Sequence, residues 1–437
     1  MKATRIALAL AAALAAAPAA GSDLVSLYRD ALLSDPVYQA ARAQYQATTE
    51  RLPQARAGYL PQVAGSASIF RNHSDRDGAP ARNYSTKSVA VTLAQPLYRM
   101  QSWIAISQAE KLVLQAEAVL ASAQQDLALR VAQAYFDVLL ARDNVALSQT
   151  QKAAIDQQLA QAKRNFEVGT ATIVDTLEAQ ARYDQSVAKE IADSNDLEVK
   201  RRALAVLLGR MPEGLMPLSD RLVLAEPTPN DIEAWVQAAA ESSLAVAVAR
   251  ANYEIAGQEI ERQRAGHLPT VDLSGSIARV DNPLAAIAPV SPVSNDVSIG
   301  LTLSVPIFSG GLTQSRVREA VALRTRAEQD LENARRGVAQ AVRANFLNVT
   351  NGIAQVRALE QALVSTQSQL DSTILGRDVG VRTSVDVLNA QQQVFQTRRD
   401  LQQARYNYLL NTLRLKASTG QLGEEDVAQV NRALDRG

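Results

Sequence analysis

The phrase VGTATIVDTLEAQ at 168–180 returns as VGVRTSVDVLNAQ at 379–391, 211 positions further along. Other landmarks keep nearly the same distance. YLPQV (59–63) answers to HLPTV (267–271), and QPLY (95–98) to VPIF (305–308). Val131, Val138 and Val145 answer to Val342, Val349 and Val356, and LLG ending at Gly209 to STG ending at Gly420. An offset held between 208 and 211 across all of these marks one duplicated unit rather than chance matches. The chain must therefore fold as two equivalent halves.

Each half runs through the same order of patterns. A helix is expected first, over Leu24 to Arg56 in one copy and Ile232 to Ala265 in the other, ending near a Leu-Pro pair. Strict alternation follows. Val89, Val91 and Leu93 take every second place in SVAVTLAQ, and Val297, Ile299, Leu301, Leu303 and Val305 do so in VSIGLTLSV. Period two means strands with one apolar face, and their partners are VAGSASIF (63–70) and VDLSGSIARV (271–280). The segments 71–83 and 281–295, rich in Pro, Gly, Asp and Asn, read as the exposed loops of two hairpins. Long proline-free stretches come next. The first runs from about Met100 to about Asn165, and at 1.5 Å per residue would reach about 100 Å. Val342, Val349, Val356, Leu363 and Leu370 fall every seventh residue, the period of a left-handed coiled coil. A second helix, over Thr172 to Leu208 or Thr383 to Ser418, must run back beside the first, which puts the repeated phrase at the tip of a helical hairpin.

Charge and residue usage narrow the function classes. Forty-five basic and forty-five acidic residues cancel without a long run of either sign, so nucleic acid is not an expected partner. Residues 1–20 place Lys2 and Arg5 before an apolar run and Ala17-Pro18-Ala19, the pattern of a secretory signal peptide, and the run is too short to span a bilayer. The chain has no cysteine, hence no disulfide, thiolate ligand or lipid-bearing cysteine. His73, in an expected loop, and His267, at a junction, are the only histidines, and no phosphate-binding loop or nucleophile-and-base pair accompanies them. No catalysis, metal or cofactor is expected.

Four strands in two hairpins cannot stand alone. With one face apolar and the other small and polar they suit lipid on one side and water on the other, and a bilayer accepts strands only as a closed barrel. Closure then needs several chains. Tyr59, Tyr98, Trp103 and Phe308 sit at strand-to-helix junctions, where they read either as an interfacial aromatic belt or as ordinary packing residues. The competing architecture is a periplasmic coiled-coil adaptor or scaffold without a channel, which explains the helices but not the strands.

The order, spacing and wording of these landmarks resemble the TolC family of outer-membrane efflux and secretion ducts, over about Asp23 to Asp426. The most specific stretch is VGVRTSVDVLNAQQQVFQTRRDLQQARYNYLLNTLRLKASTGQL. The resemblance implies a mixed fold: a homotrimeric outer-membrane β-barrel, four strands per protomer, continued by an α-helical coiled-coil barrel through the periplasm of a Gram-negative bacterium. It assigns residues 21–210 and 232–420 to the two repeats, and 211–231 and 421–437 to an equatorial belt. It implies a periplasmic adaptor (membrane fusion protein) and an inner-membrane pump or ABC exporter as partners, with drugs as cargo and secreted proteins as a second possibility. Val168, Gly169, Thr170, Val379, Gly380 and Val381 would be the adaptor-facing tips. Arg382 matches the family's gating arginine, Asp175 an aspartate of the closing bonds, and Asp386 the first of two constriction aspartates. Two positions depart: Asn389 stands where some members carry the second aspartate, and Arg377 where some carry a gating tyrosine, which puts a base within expected reach of Asp175. Asp175 and Asp386 also lie three residues after Thr172 and Thr383, so both have a second reading as helix-start caps.

Overall fold

The computed structural model describes residues 23–77, 79–219, 222–283 and 291–434, so the expected signal peptide lies outside the described residues. In chain order the elements are α1 (Leu24–Ser34), α2 (Pro36–Thr49), α3 (Arg51–Ala57), β1 (Gln62–Arg76), β2 (Ala79–Tyr98), α4 (Met100–Glu167) and α5 (Ile173–Leu208). The second half brings α6 (Ile232–Ser242), α7 (Leu244–Arg264), a short 3-10 turn (Ala265–His267), β3 (Thr270–Asp281), β4 (Val293–Ser304), α8 (Leu312–Asp378), α9 (Ser384–Ser418) and α10 (Glu424–Asn431). Two compact units divide the chain, and each draws on both copies of the repeat.

The unit formed by 43–119 and 247–334 holds one antiparallel sheet in the order β1-β2-β3-β4. Its register aligns the alternation across all four strands. Val63 faces Leu93, Val89 faces Ala67, Val91 faces Ile277, and Ile277 faces Val297; Leu273 and Val271 face Leu301 and Leu303. Directly opposed residues share a face, so these side chains form one apolar band. The band ends where Lys87 and Arg279 enter that face, opposite Ile69 and Val89. Seven residues of β1 cross it from Val63 to Ile69, about 20 Å along the strand at 3.3 Å per residue. The other face carries Ser and Thr, with Ser68 bonded to Ser88 at 2.8 Å and Ser276 to Ser298 at 2.9 Å between hydroxyls. Among the described residues β1 and β4 each pair on one side only.

The strands of the first hairpin are longer than their apolar pattern. Residues 71–83, expected as a loop, are mostly paired: Asn72 opposes Tyr84 and His73 opposes Asn83. Polar cross-strand bonds replace apolar packing there, Asn72 Nδ2 donating to Thr86 Oγ1 at 3.0 Å and His73 Nδ1 lying 2.8 Å from Asn83 Oδ1. His73 is thus a strand residue. At the strand-to-helix junction Tyr59 and Trp103 pack edge to face, 4.9 Å between centroids, and Tyr59 donates to the Leu97 carbonyl. Tyr98 and Phe308 are exposed.

The other unit, described over 23–42, 120–219, 222–246 and 335–434, contains the main core. Leu24 and Leu27 of α1, Leu127, Val131, Tyr135 and Leu139 of α4, Leu204 of α5, Val342 and Val349 of α8 and Leu413 of α9 are all buried in it. The seven-residue series stays inside: Val356 packs with Leu401 and Ala404, and Leu370 with Val387, Ala390 and Val394. Tyr135 and Tyr408 tie the inter-repeat segment to this core through the Met216 and Ala225 carbonyls, at 2.9 and 3.0 Å.

The leading helices are not continuous, as they were expected to be. Asp35 is extended at ψ 118, because the ring of Pro36 keeps the preceding residue out of the helical region. Its carboxylate then caps α2 through the Tyr38 amide at 2.8 Å and takes a bidentate bond from Arg130 at 2.9 and 3.1 Å. Ser243 breaks the second copy at the equivalent place without a proline, extended at ψ 127 and buried. Among the described residues no helix is long and apolar enough to cross a membrane, a statement that does not touch strands.

Candidate gate at the helix tips

Both long helices end in the same way. Gly169 (φ 78) and Gly380 (φ 81) adopt the left-handed conformation that side chains resist. The amide of Thr170 reaches back to the Asn165 carbonyl at 2.8 Å and that of Gly169 to Phe166 at 3.0 Å. The second tip repeats this with Val381 to Gly376 at 2.8 Å and Gly380 to Arg377 at 3.0 Å. This pair of bonds is the Schellman motif, which satisfies the last carbonyls of a helix.

The returning helices start just as regularly. Thr172 and Thr383 are N-caps, and each sits in a complete capping box. The Thr172 amide donates to Asp175 Oδ2 at 2.9 Å and the Asp175 amide to Thr172 Oγ1 at 3.3 Å; for Thr383 and Asp386 the distances are 2.9 and 3.1 Å. Bonds to Thr172 hold Asp175 below the usual carboxylate range, the hydroxyl's first and the amide's second. Asp386 is lowered by the Thr383 amide, then its hydroxyl, with Arg382 adding to the effect.

The capping reading of both aspartates therefore holds. A carboxylate lowered by folding stabilises fully above its ordinary pKa and loses that contribution as pH falls through the lowered value. Hydrogen-exchange protection of the first turn of α9 should accordingly stay level from neutrality to about pH 4 and fall below it. Thr383→Ala should weaken that turn by about 1 kcal/mol at neutral pH.

Other expected residues take different partners. Arg377 turns to its neighbour Asp378, at 2.7 Å, and the described residues show no bond from it to Asp175. The adjacent carboxylate wins because it needs no contact between hairpins. Asn389 accepts from Arg182 Nη2 at 3.1 Å while Gln392 accepts from Nη1 at 3.0 Å, so one guanidinium joins α5 to α9. A cleft of about 240 Å³, lined among others by Arg182, Lys189, Gln391 and Arg399, opens beside that link. Arg182 escaped the sequence reading. Its only signal is a charge where the second copy has Gln393. Arg182→Ala should cost under about 1 kcal/mol, since the bond is exposed, and should read out as faster exchange near Asn389 rather than as unfolding.

The tips are apolar and open. Val168 is 73%, Val379 66% and Val381 75% exposed. Arg382 is exposed as well, and its guanidinium makes no hydrogen bond or ion pair to the described residues of its own chain.

The comparisons follow this duplication. The profile of a family described as Outer membrane efflux protein matches residues 27–210 and again 235–421, once per copy. The chain belongs to that family. Outer membrane protein TolC of Vibrio cholerae is 37% identical over 413 residues, covering 94% of this chain and 94% of that protein. The alkaline protease secretion protein AprF of Pseudomonas aeruginosa is 30% identical, over 93% of this chain and 86% of its own length. The crystal structure of the outer membrane protein VceC from Vibrio cholerae shares the fold at TM-score 0.76 and 19% identity, over 91% of this chain and 96% of that one. Membership makes this a Gram-negative outer-membrane protein of export, in a family of channels rather than enzymes.

Proposed function

We propose that three copies of this chain close one twelve-stranded barrel in the outer membrane, and that their helical hairpins form a periplasmic duct gated at the tips. The observation that carries this reading is the sheet: four strands, both edges open among the described residues, with an apolar band on one face. Open edges in lipid are not tolerated, so β4 of one copy must pair with β1 of the next. A scaffold in water would have no use for that band.

In the helical unit, six exposed tips per trimer would meet the hairpins of a periplasmic adaptor through Val168, Gly169, Thr170, Val379, Gly380 and Val381. Arg382, whose guanidinium has no hydrogen bond or ion pair among the described residues, would bind across to a neighbouring hairpin and hold the mouth shut. Three copies of Asp386 would line the constriction, while Asn389 in place of a second carboxylate leaves their ring less negative. Cargo would arrive from an inner-membrane pump as drugs and other small molecules. The likeness to AprF supports secreted proteins from an ABC exporter as a second cargo. The test is a planar-bilayer recording of the purified mature protein. Small, stable unitary conductances are expected; well-folded protein that never conducts would favour the scaffold.

A further inference from the structure

We propose that Gly376 is a positioning residue whose missing side chain makes the seat for Arg382, an inference that rests on the gate reading for its functional consequence but not for its geometry. Gly376 lies in the last turns of α8, where glycine is an unfavourable choice for a helix. It is not among the positive-φ glycines, so its backbone does not require glycine. Space does. A Cβ built there would stand 2.8 Å from Arg382 Cγ, 3.4 Å from Arg382 Cβ and 3.5 Å from Val381 Cγ2. The same residue's carbonyl accepts the amides of both Val381, at 2.8 Å, and Arg382, at 3.1 Å. Backbone and side chain of Arg382 are thus both fixed against Gly376.

The first copy serves as an internal control. At the same offset Gly376 corresponds to Asn165 and Arg382 to Ala171. Asn165 accepts the Thr170 amide at 2.8 Å, so the turn itself forms with a side chain at that position. The second copy adds an arginine whose amide also bonds to this carbonyl, where the first copy uses the Thr170 hydroxyl, at 3.1 Å. The crowded atom, Cγ, lies near the root of the side chain, so arginine cannot relieve the contact by swinging its far end; it must change rotamer or leave the carbonyl.

The experiment is a double-mutant cycle read by hydrogen exchange of the Val381 and Arg382 amides in the full-length trimer. Gly376→Ala alone should speed their exchange about tenfold, and in an Arg382→Ala background the same change should leave the rate within about twofold. Equal acceleration in both backgrounds would overturn the seat. The mirrored pair guards against a general folding defect: Ala171→Arg should loosen the first tip, and adding Asn165→Gly should restore it, whereas no restoration counts against the idea. Bilayer conductance separates the two layers. If the cycle couples and Gly376→Ala also leaks as Arg382→Ser does, seat and gate stand together; coupling with no leak from either variant sinks the gate reading and leaves the seat.

Discussion

Gly420→Ala should be among the most damaging single substitutions in the chain. Gly420 holds φ 76, which costs about 1–2 kcal/mol for an L side chain. A Cβ there would also collide with the Ser242 carbonyl oxygen and lie 3.2 Å from the Leu244 amide nitrogen. Both are backbone atoms beside the break at Ser243, and Ser242 Oγ is itself bonded to the Thr419 carbonyl at 2.6 Å. They cannot turn aside as a side chain would, so overpacking adds about 1–3 kcal/mol. A total loss of about 3 kcal/mol should lower the thermal midpoint by several degrees. Gly209 supplies the control. It has φ 68, but its nearest neighbour would be Ser34 Cβ at 3.5 Å, an ordinary contact. Gly209→Ala should therefore lose only the backbone preference, about 1–2 kcal/mol. Equal losses at the two glycines would mean that the close approach at Ser242 is not what matters.

Arg382→Ser should change conduction more than stability. Arg382 is exposed, and its guanidinium makes no hydrogen bond or ion pair to the described residues of its own chain, so removing it takes away only its through-space effect on Asp386. The Schellman turn before it and the capping box after it are made by Gly376, Gly380, Thr383 and Asp386, and remain. If Arg382 closes the mouth across chains, the variant should fold normally, conduct more in bilayers and admit antibiotics that the wild type excludes. Unchanged conductance together with unchanged exclusion would count against a gate at this residue.

Much of the architecture was legible because it rests on period. Alternation at Val89, Val91 and Leu93 located a strand, and the seven-residue series from Val342 to Leu370 located the buried seam of α8. The tip was legible because it was written twice, with glycine and Thr-x-x-Asp at matching places. What escaped lacks a periodic signal. The polar residues 71–76 and 79–83 extend β1 and β2, with side-chain bonds between the strands, and composition alone cannot tell those from a loop. Ser243 breaks a helix with nothing in its own sequence to announce it; only its correspondence to Asp35, ahead of Pro36, carries the hint. Partner choice was the least legible. Arg377 had a plausible acid in Asp175 and a nearer one in Asp378, and proximity along the chain decided it.

The proposed duct requires three chains to close one barrel through β1 and β4. The native chain has no cysteine, so introduced thiols report without background. Cysteine at Ala64 of β1, combined in turn with cysteine at positions 296–302 of β4, should at one or two pairings give, on oxidation in outer membranes, a covalent ladder that ends at three chains. A ladder running beyond three, or no intermolecular product at any pairing in folded protein, would contradict it.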